Sequence, residues 1–207
     1  MGGEILKCFI ETLGCPKNFA DSESAAGILE RAGHQIVRTP AEADVIFVNT
    51  CGFINDAKEE SIDRIFDLAA YKERGARLVV TGCLSQRYGD SLYKSMPEVD
   101  LFLGVNDYAV LPEYLEKLEN GQKLIPKLSA CGTVYEELGC PKRLGSAHTI
   151  YLKIAEGCNN HCAYCAIPAI RGSYRSRKPE EILKEAAEAA AQGCKELILV
   201  AQDVTAY

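Results

Sequence analysis

The sequence predicts an α/β protein that begins with an open parallel sheet carrying helices on both faces. The main observation is that short apolar runs alternate with longer amphipathic segments over the first 120 residues, as in chains that build parallel sheets from strand–helix units. A second observation is that glycines follow three of the amphipathic segments, where helices commonly end. A third is that hydrophobic residues make up 47% of the chain, which is sufficient for a substantial buried core.

Each element of this first part follows from its apolar pattern and its flanks. The predicted strands are Leu6–Glu11, Gln35–Arg38, Asp44–Asn49, Arg77–Thr81 and Leu101–Gly104. The predicted helices are Asp21–Arg31, Asp56–Arg74, Gln86–Lys94 and Asp107–Glu119. The glycines that end helices are Gly33, Gly75 and Gly121. Because strands and helices alternate, residues 1–120 are expected to form one domain.

Residues 121–147 interrupt this alternation and are predicted to be a linker. They contain Gly, Pro, Ser and Lys without sustained periodicity, which is typical of segments between domains. A second domain, residues 148–207, then consists of the strand Thr149–Ala155, a loop through Arg177, the helix Pro179–Gln192 and the strand Glu196–Ala201. A single βαβ unit cannot bury both faces of its sheet, so this domain is expected to be incomplete as given.

The net charge, the N-terminal sequence and the number of cysteines exclude several classes of protein. The net charge is −6, and neither part of the chain has the basic excess of a general nucleic-acid binder. The N-terminus lacks the basic start and long apolar stretch of a secretory signal, and the longest apolar runs are only strand-sized. A cytoplasmic protein without a membrane partner is therefore expected. In that compartment ten cysteines indicate metal ligation or redox chemistry and not a disulfide framework.

Three cysteines follow predicted strands of the first sheet. Cys15, Cys51 and Cys83 each come shortly after a strand, and each has an adjacent glycine. The carboxyl ends of parallel strands share one edge of the sheet, where ligand sites assemble, and glycine lets the backbone approach a bulky group closely. The pattern predicts a three-point metal site at this edge. Three small buried hydrophobic cysteines are the alternative.

A second set of cysteines lies in the strand-to-helix loop of the second domain. Cys158, Cys162 and Cys165 form a CxxxCxxC run, and thiolates this close together can surround one iron–sulfur cluster. Three thiolates without an obvious fourth ligand favour a four-iron cluster that keeps one iron open. Structural zinc, which would need His161 as a fourth ligand, and a redox dithiol are the alternatives.

The remaining cysteines carry no such pattern. Cys8 lies inside the first predicted strand, and Cys194 lies at the sheet edge opposite the CxxxCxxC loop. Cys131 and Cys140 lie in the linker, and Cys140 belongs to a second copy of the string LGCPK, whose first copy contains Cys15. Structural or incidental roles are expected for all four outside the two motifs.

The segment after the CxxxCxxC run is locally basic. Residues 157–179 include Arg171, Arg175, Arg177 and Lys178 and no acidic residue. A solvated loop and an anion site both fit this pattern. An anion site is chemically reasonable because the fork of an Arg side chain matches the geometry of a carboxylate.

These motifs resemble the radical S-adenosylmethionine (SAM) methylthiotransferase family. CxxxCxxC with Tyr164 before its last cysteine resembles the radical SAM motif, and an upstream α/β domain with three separated cysteines resembles the N-terminal domain of the methylthiotransferases. The strings that carry the resemblance are GCPKNFADSE, VNTCGFINDAKEES, VTGCLSQRY, YLKIAEGCNNHCAYCAIPAIRG and QDVTAY. The strings LGCPKN and QDVTAY are similar to the branch that modifies an aspartate of a small-subunit ribosomal protein, whereas the tRNA-modifying branch typically has GCQMN at the first site.

The resemblance implies two [4Fe–4S] clusters and SAM as cofactors. The three cysteines at the strand ends would hold an auxiliary cluster, and the CxxxCxxC cysteines would hold the radical SAM cluster, whose open iron binds SAM. Tyr164 is expected near the adenine of SAM, and Gln202 and Asp203 are expected near SAM. Arg175 of the basic segment is expected at the SAM carboxylate or at an acidic target side chain.

The implied reaction is addition of a methylthio group to the β-carbon of an aspartate in a small-subunit ribosomal protein. An electron donor such as a flavodoxin or a ferredoxin is the implied second partner. The second domain corresponds to the start of a radical SAM partial barrel, so the chain is expected to be a fragment that binds both clusters without completing turnover. Methylthiolation of tRNA, with tRNA as partner, is the alternative enzymatic function, and a cysteine-rich zinc or redox module is the non-enzymatic alternative.

Overall fold

A five-stranded parallel sheet forms the first part of the fold. The computed structural model describes residues 5–122, 124–129, 138–146 and 148–207. The strands are β1 (Lys7–Thr12), β2 (Gln35–Ile36), β3 (Val45–Thr50), β4 (Arg77–Gly82) and β5 (Leu101–Phe102), in the order β2-β1-β3-β4-β5. The helices are α1 (Pro16–Arg31), α2 (Asn55–Ala69), α3 (Cys83–Ser95) and α4 (Leu111–Glu119). This confirms the predicted open sheet.

Helices cover both faces of this sheet. Successive side chains of a strand point to opposite faces, so neighbouring residues of β3 enter different cores. Phe47 belongs to a hydrophobic cluster with Leu29 of α1 and Leu115 of α4. Ile46 belongs to a second cluster with Ile65 of α2. β3 is consequently buried along its whole length, which explains its continuous apolar run.

The second part of the fold is a βαβ unit with a short antiparallel ribbon beside it. Its elements are β6 (Thr149–Lys153), β7 (Ala155–Glu156), α5 (Ile167–Arg171), β8 (Arg175–Ser176), α6 (Pro179–Ala191) and β9 (Glu196–Val200). β6 pairs with β9 in parallel, and β7 pairs with β8 in antiparallel. Among the described residues no helix is long and apolar enough to cross a membrane.

Several elements differ from the sequence prediction; for example, α3 begins at Cys83 and α4 at Leu111. Helix α1 begins at Pro16 and not at Asp21, because proline is compatible with the first helical turn, where its missing N–H is not needed. The predicted strand Thr149–Ala155 is divided, since the chain leaves β9 after Lys153 and pairs with β8 instead. Within the predicted loop through Arg177, the structure contains α5 and β8.

Candidate functional site

The carboxyl ends of β1, β3 and β4 bring three cysteines to one cavity. Thr50, the last residue of β3, is aligned with Gly82, the last residue of β4. Cys51 and Cys83 therefore leave the sheet side by side, and Cys15 precedes the first residue of α1 after the turn that follows β1. All three cysteines line a cavity of about 380 Å³. The structure thus brings together the three cysteines that the sequence analysis placed at the sheet edge.

Two small residues, Gly14 and Ser61, shape the backbone around Cys51. Gly14 has φ of +88°, and a Cβ atom built there would lie 2.7 Å from the Cβ of Cys51. Only glycine tolerates both this backbone conformation and this approach. From α2, the Ser61 hydroxyl accepts a hydrogen bond from the Cys51 N–H at 3.1 Å and lies 3.0 Å from the Cys51 carbonyl oxygen. The turn at Gly14 and the helix at Ser61 therefore fix Cys51 from two sides.

Cys83 is the most enclosed of the three cysteines. It is the first residue of α3 and is buried, whereas Cys15 is exposed and Cys51 is half-buried. The Arg171 guanidinium donates a hydrogen bond from Nη2 to the Cys83 Sγ at 3.1 Å. Burial raises the pKa of the Cys83 thiol, and the charge and hydrogen bond of Arg171 act against that rise. A cation from the second part of the fold thus stabilises negative charge on this sulfur.

Asn18 joins the loops that carry these cysteines. Its side-chain amide, fully buried in the first turn of α1, donates to the carbonyl of Leu13 at 2.9 Å and to the carbonyl of Thr50 at 3.0 Å. Its Oδ1 accepts a hydrogen bond from Arg171 at 2.8 Å. One side chain therefore connects the end of β1, the end of β3 and helix α5.

Five buried ionisable side chains form a network that reaches the cavity through two of its members, Lys17 and Arg171. We call the network the buried charge cluster: Lys17, Asp21, Lys153, Glu156 and Arg171. Lys17 pairs with Glu156 at 2.8 Å, and Lys153 pairs with Glu156 at 3.1 Å. Arg171 pairs with Asp21 at 2.6 Å and with Glu156 at 3.4 Å, and Lys153 also pairs with Asp21. Two of its members come from α1 and three from the second part of the fold, so the cluster joins the two parts.

Burial and mutual attraction compete within the buried charge cluster. Burial alone would raise the pKa of the Glu156 carboxyl, but Arg171, Lys153 and Lys17 hold that pKa well below its usual value. Burial would likewise lower the pKa of Arg171, yet Asp21 and Glu156 raise it well above its ordinary value. Burial lowers the pKa of Lys17 to about 8 despite the attraction of Glu156. Removing one member of such a buried group is expected to destabilise the fold strongly, because it leaves an uncompensated buried charge.

The CxxxCxxC run follows β7 as a loop at the same side of the molecule. Cys158 is anchored to the neighbouring segment by a hydrogen bond from its N–H to the Gly172 carbonyl at 3.1 Å. The Asn160 N–H lies 3.4 Å from the Cys158 Sγ, and the Cys165 N–H donates to the Cys162 carbonyl at 3.0 Å. Cys158 and Cys165 are half-buried, and Cys162 is exposed. All three cysteines of the loop are therefore at least partly exposed.

The other predicted SAM-binding residues occupy different surroundings. Tyr164 is 85% exposed. Gln202 lines the cavity of the strand-end cysteines and donates from Nε2 to Glu156. Asp203 accepts a hydrogen bond from Asn160 of the CxxxCxxC loop at 3.1 Å. Arg175 donates to the backbone carbonyl of Ser173 at 2.8 Å and also to that of Arg171.

The basic segment is not uniformly solvated. Arg171 is only 2% exposed and belongs to the buried charge cluster, so the solvated-loop interpretation is wrong for this residue. Arg177 donates to the Lys153 carbonyl and to Glu185, both at 2.7 Å. These arginines join elements of the fold, and the sequence could not show this because Arg171 and its partner Asp21 are 150 positions apart.

The residues that sequence reasoning missed are Lys17, Asn18, Asp21 and Glu156, and it named Arg171 only as a member of the basic segment. The only sign of them in the sequence was that polar and charged residues occur in segments that the structure shows to be buried. Cys8 is fully buried in β1, as expected, and Cys140 contacts Glu188 at 3.1 Å on the surface. Cys131 lies outside the described residues. Among the residues that are described, no group of three or more His, Cys, Asp or Glu side chains is arranged to hold a single metal ion.

Comparison with family models divides the chain in two. Residues 7–104 match the uncharacterized protein family UPF0004, and residues 152–207 match the radical SAM superfamily. The first match contains all three strand-end cysteines, and the second contains the CxxxCxxC run.

Curated relatives are similar over nearly the whole chain. A protein of Clostridium tetani (strain Massachusetts / E88) named ribosomal protein uS12 methylthiotransferase RimO is 50% identical over 204 residues, which are 98% of this chain and 45% of that protein. A protein of the same name from Anaeromyxobacter sp. (strain Fw109-5) is 48% identical, over 97% of this chain and 43% of its own length. The chain thus spans less than half the length of these relatives.

Solved structures share the fold. The cobalamin-dependent SAM radical enzyme OxsB with aqua-cobalamin bound superposes with a TM-score of 0.65 at 15% identity, over 97% of this chain and 34% of that chain. At this identity the likeness concerns the fold alone. The two parts of the chain thus match these two family models, and the chain is similar to the methylthiotransferases named RimO over the 43–45% of their length that it spans.

Proposed function

We propose that this chain is the cluster-bearing part of an enzyme that adds a methylthio group to the β-carbon of an aspartate in a small-subunit ribosomal protein. The observation that carries the proposal is the 45–50% identity, over nearly the whole chain, to proteins named ribosomal protein uS12 methylthiotransferase. These names favour the ribosomal-protein branch over methylthiolation of tRNA.

The strand-end cysteines fit an auxiliary cluster. Cys15, Cys51 and Cys83 line a single cavity whose other walls include apolar side chains such as Phe53 and Ile167. Iron–sulfur clusters take thiolate ligands, and burial and hydrogen bonds to the sulfurs set their reduction potentials. The donor set and its enclosure therefore suit a cluster with a coordination position left for a non-protein ligand.

The CxxxCxxC loop fits a second cluster. Cys158, Cys162 and Cys165 are accessible, and the hydrogen bond between the Asn160 N–H and the Cys158 Sγ is of the kind that outer-shell groups provide to ligating sulfurs. We propose that Asp203, which Asn160 holds at this loop, and Gln202, Tyr164 and Arg175 contact SAM.

The chemistry itself belongs to the cofactors. When bound, the two clusters and SAM would supply the carbon radical that activates the substrate, the sulfur that is inserted and the methyl group. The chain's own residues bind these groups, keep them in fixed relative positions and limit their access to water. We call the cavity lined by Cys15, Cys51 and Cys83 the auxiliary cavity. Gln202 and Arg171 also line it, and both side chains come from the part of the fold that carries the CxxxCxxC loop, which supports this role.

We further propose that residues 1–120 form the auxiliary-cluster domain, 121–147 the linker and 148–207 the start of the radical SAM domain. The aspartate-bearing ribosomal protein would be the substrate, and a flavodoxin or ferredoxin would be the electron donor. The separation of the five-stranded sheet from the β6–β9 sheet supports this division.

Mass spectrometry of a strain that lacks the gene tests the function. We expect the ribosomal protein uS12 to lose the mass of one methylthio group, while methylthio-adenosine in tRNA is unchanged. Restoring the gene should restore the modification, whereas a copy with Cys158, Cys162 and Cys165 replaced by Ala should not. Loss of methylthio-adenosine with an unaltered uS12 would show that the tRNA function is correct instead.

A further inference from the structure

The contact between Arg171 and Cys83 joins the two cysteine sites. Arg171 is the last residue of α5, the short helix that follows the CxxxCxxC loop, and its guanidinium contacts the Cys83 sulfur, which lines the auxiliary cavity. The same guanidinium pairs with Asp21 and hydrogen-bonds Asn18. Both residues lie on α1, the helix that begins directly after Cys15. Arg171 is thus fixed by α1 while it contacts a cysteine on α3.

The Arg171 guanidinium lies between carboxylates and a sulfur. It pairs with Asp21 at 2.6 Å and with Glu156 at 3.4 Å. It also lies 3.1 Å from the Sγ of Cys83, which lines the same cavity. A buried charge is costly unless opposite charges lie nearby. Thiolates that ligate a metal group at the cavity would place further negative charge beside this buried cation.

We propose that Arg171 is a positioning residue for the auxiliary cluster: its guanidinium holds the Cys83 sulfur, and its buried positive charge stabilises the negative charge of the thiolate-ligated group. This inference rests on the proposed function, because it assumes that an auxiliary cluster binds at Cys15, Cys51 and Cys83. A hydrogen bond and a cation at a ligating sulfur favour the more reduced, more negative state of the cluster. Arg171 therefore raises the reduction potential of this cluster.

Arg143 provides a matched comparison within the same protein. It is also a shielded arginine that joins the two parts of the fold, through Glu23 of α1 at 2.7 Å and Glu185 of α6 at 3.0 Å. Arg143 is not among the residues that line the auxiliary cavity. Any purely structural effect of an arginine that joins the two parts would therefore be shared by Arg143 and Arg171, whereas an effect on the reduction potential of the cluster would belong to Arg171 alone.

The test is a redox titration of the auxiliary cluster, followed by its electron paramagnetic resonance signal. The protein is prepared with Cys158, Cys162 and Cys165 replaced by Ala, so that only the auxiliary cluster is reconstituted. Arg171→Gln, Arg171→Lys and Arg143→Gln are each compared in this background. We expect a lower reduction potential for Arg171→Gln, a smaller decrease for Arg171→Lys, which keeps a charge but loses the fork, and no shift for Arg143→Gln.

Each outcome decides the inference. Equal potentials in the Arg171 variants and their parent would overturn it, as would an equal shift in Arg143→Gln. If Arg171→Gln does not fold or retains no iron, Arg171→Lys alone decides. A lowered reduction potential in Arg171→Lys would support the inference, and an unchanged one would overturn it. If the parent with an intact Arg171 binds no cluster, the auxiliary site itself is wrong, and the proposed function fails separately from the role of Arg171.

Discussion

At the scale of single residues, the proposed auxiliary site depends on the lack of a side chain at Gly14 as well as on the charged side chain of Arg171. Gly14 allows the turn that carries Cys15 to approach Cys51, and the same site is bordered by the cation of Arg171. The adjacency of glycine and cysteine was visible in the sequence. The cation was not, because the ion pair between Arg171 and α1 depends on tertiary contacts between distant parts of the chain.

Replacing Gly14 by Ala is expected to destabilise the protein more than replacing Gly33 by Ala. Both glycines have positive φ, +88° and +95°, so both alanines incur a backbone penalty of about 1–2 kcal/mol. Only the Gly14 alanine meets Cys51, since nothing lies within 4 Å of a Cβ at Gly33, and such overpacking adds roughly 1–3 kcal/mol. Urea denaturation of the two variants without clusters measures the difference. Equal losses of unfolding free energy would show that the approach of Gly14 to Cys51 is unimportant.

At the scale of secondary-structure elements, the sequence predicted the sheet well and the beginning of α1 poorly. Strands such as β3 are apolar throughout and are recognised from their sequence alone. The first two turns of α1 contain polar residues that are nevertheless buried, with Lys17, Asn18 and Asp21 less than 9% exposed. Polar residues normally indicate a solvent-facing segment, so the burial of these residues was not predicted. Their burial follows from partners in the second part of the fold.

Asn18→Ala tests whether α1 holds the cysteine loops together. The substitution removes the donors to the Leu13 and Thr50 carbonyls and the acceptor for Arg171. Unsatisfied buried polar groups cost about 1–3 kcal/mol each, so we expect a loss on the order of 3 kcal/mol in unfolding free energy. Asn55→Ala, at the exposed first residue of α2, is the control and should change the unfolding free energy by less than about 0.5 kcal/mol. Similar small losses in both variants would contradict this role of Asn18.

At the scale of the whole molecule, two cysteine sites from different parts of the chain lie on one side of the fold. The family models divide the chain at the same place, with one set of three cysteines in each match. The two sites are connected by Gln202 and Arg171, which line the auxiliary cavity from the part that carries the CxxxCxxC loop. The sequence indicated both sets of three cysteines. It could not indicate their relative position, because that position depends on the buried charge cluster, which joins α1 to the second part of the fold.

The central claim is that six cysteines hold two separate four-iron clusters, and iron and sulfide analysis after anaerobic reconstitution tests it directly. We expect about eight irons and eight sulfides per chain. Replacing Cys15, Cys51 and Cys83 by Ala, or Cys158, Cys162 and Cys165 by Ala, should leave about four of each. Cys140→Ala, in the second copy of LGCPK, is the control and should leave the content unchanged. Zinc without sulfide, or about four irons in the unsubstituted chain, would contradict the account.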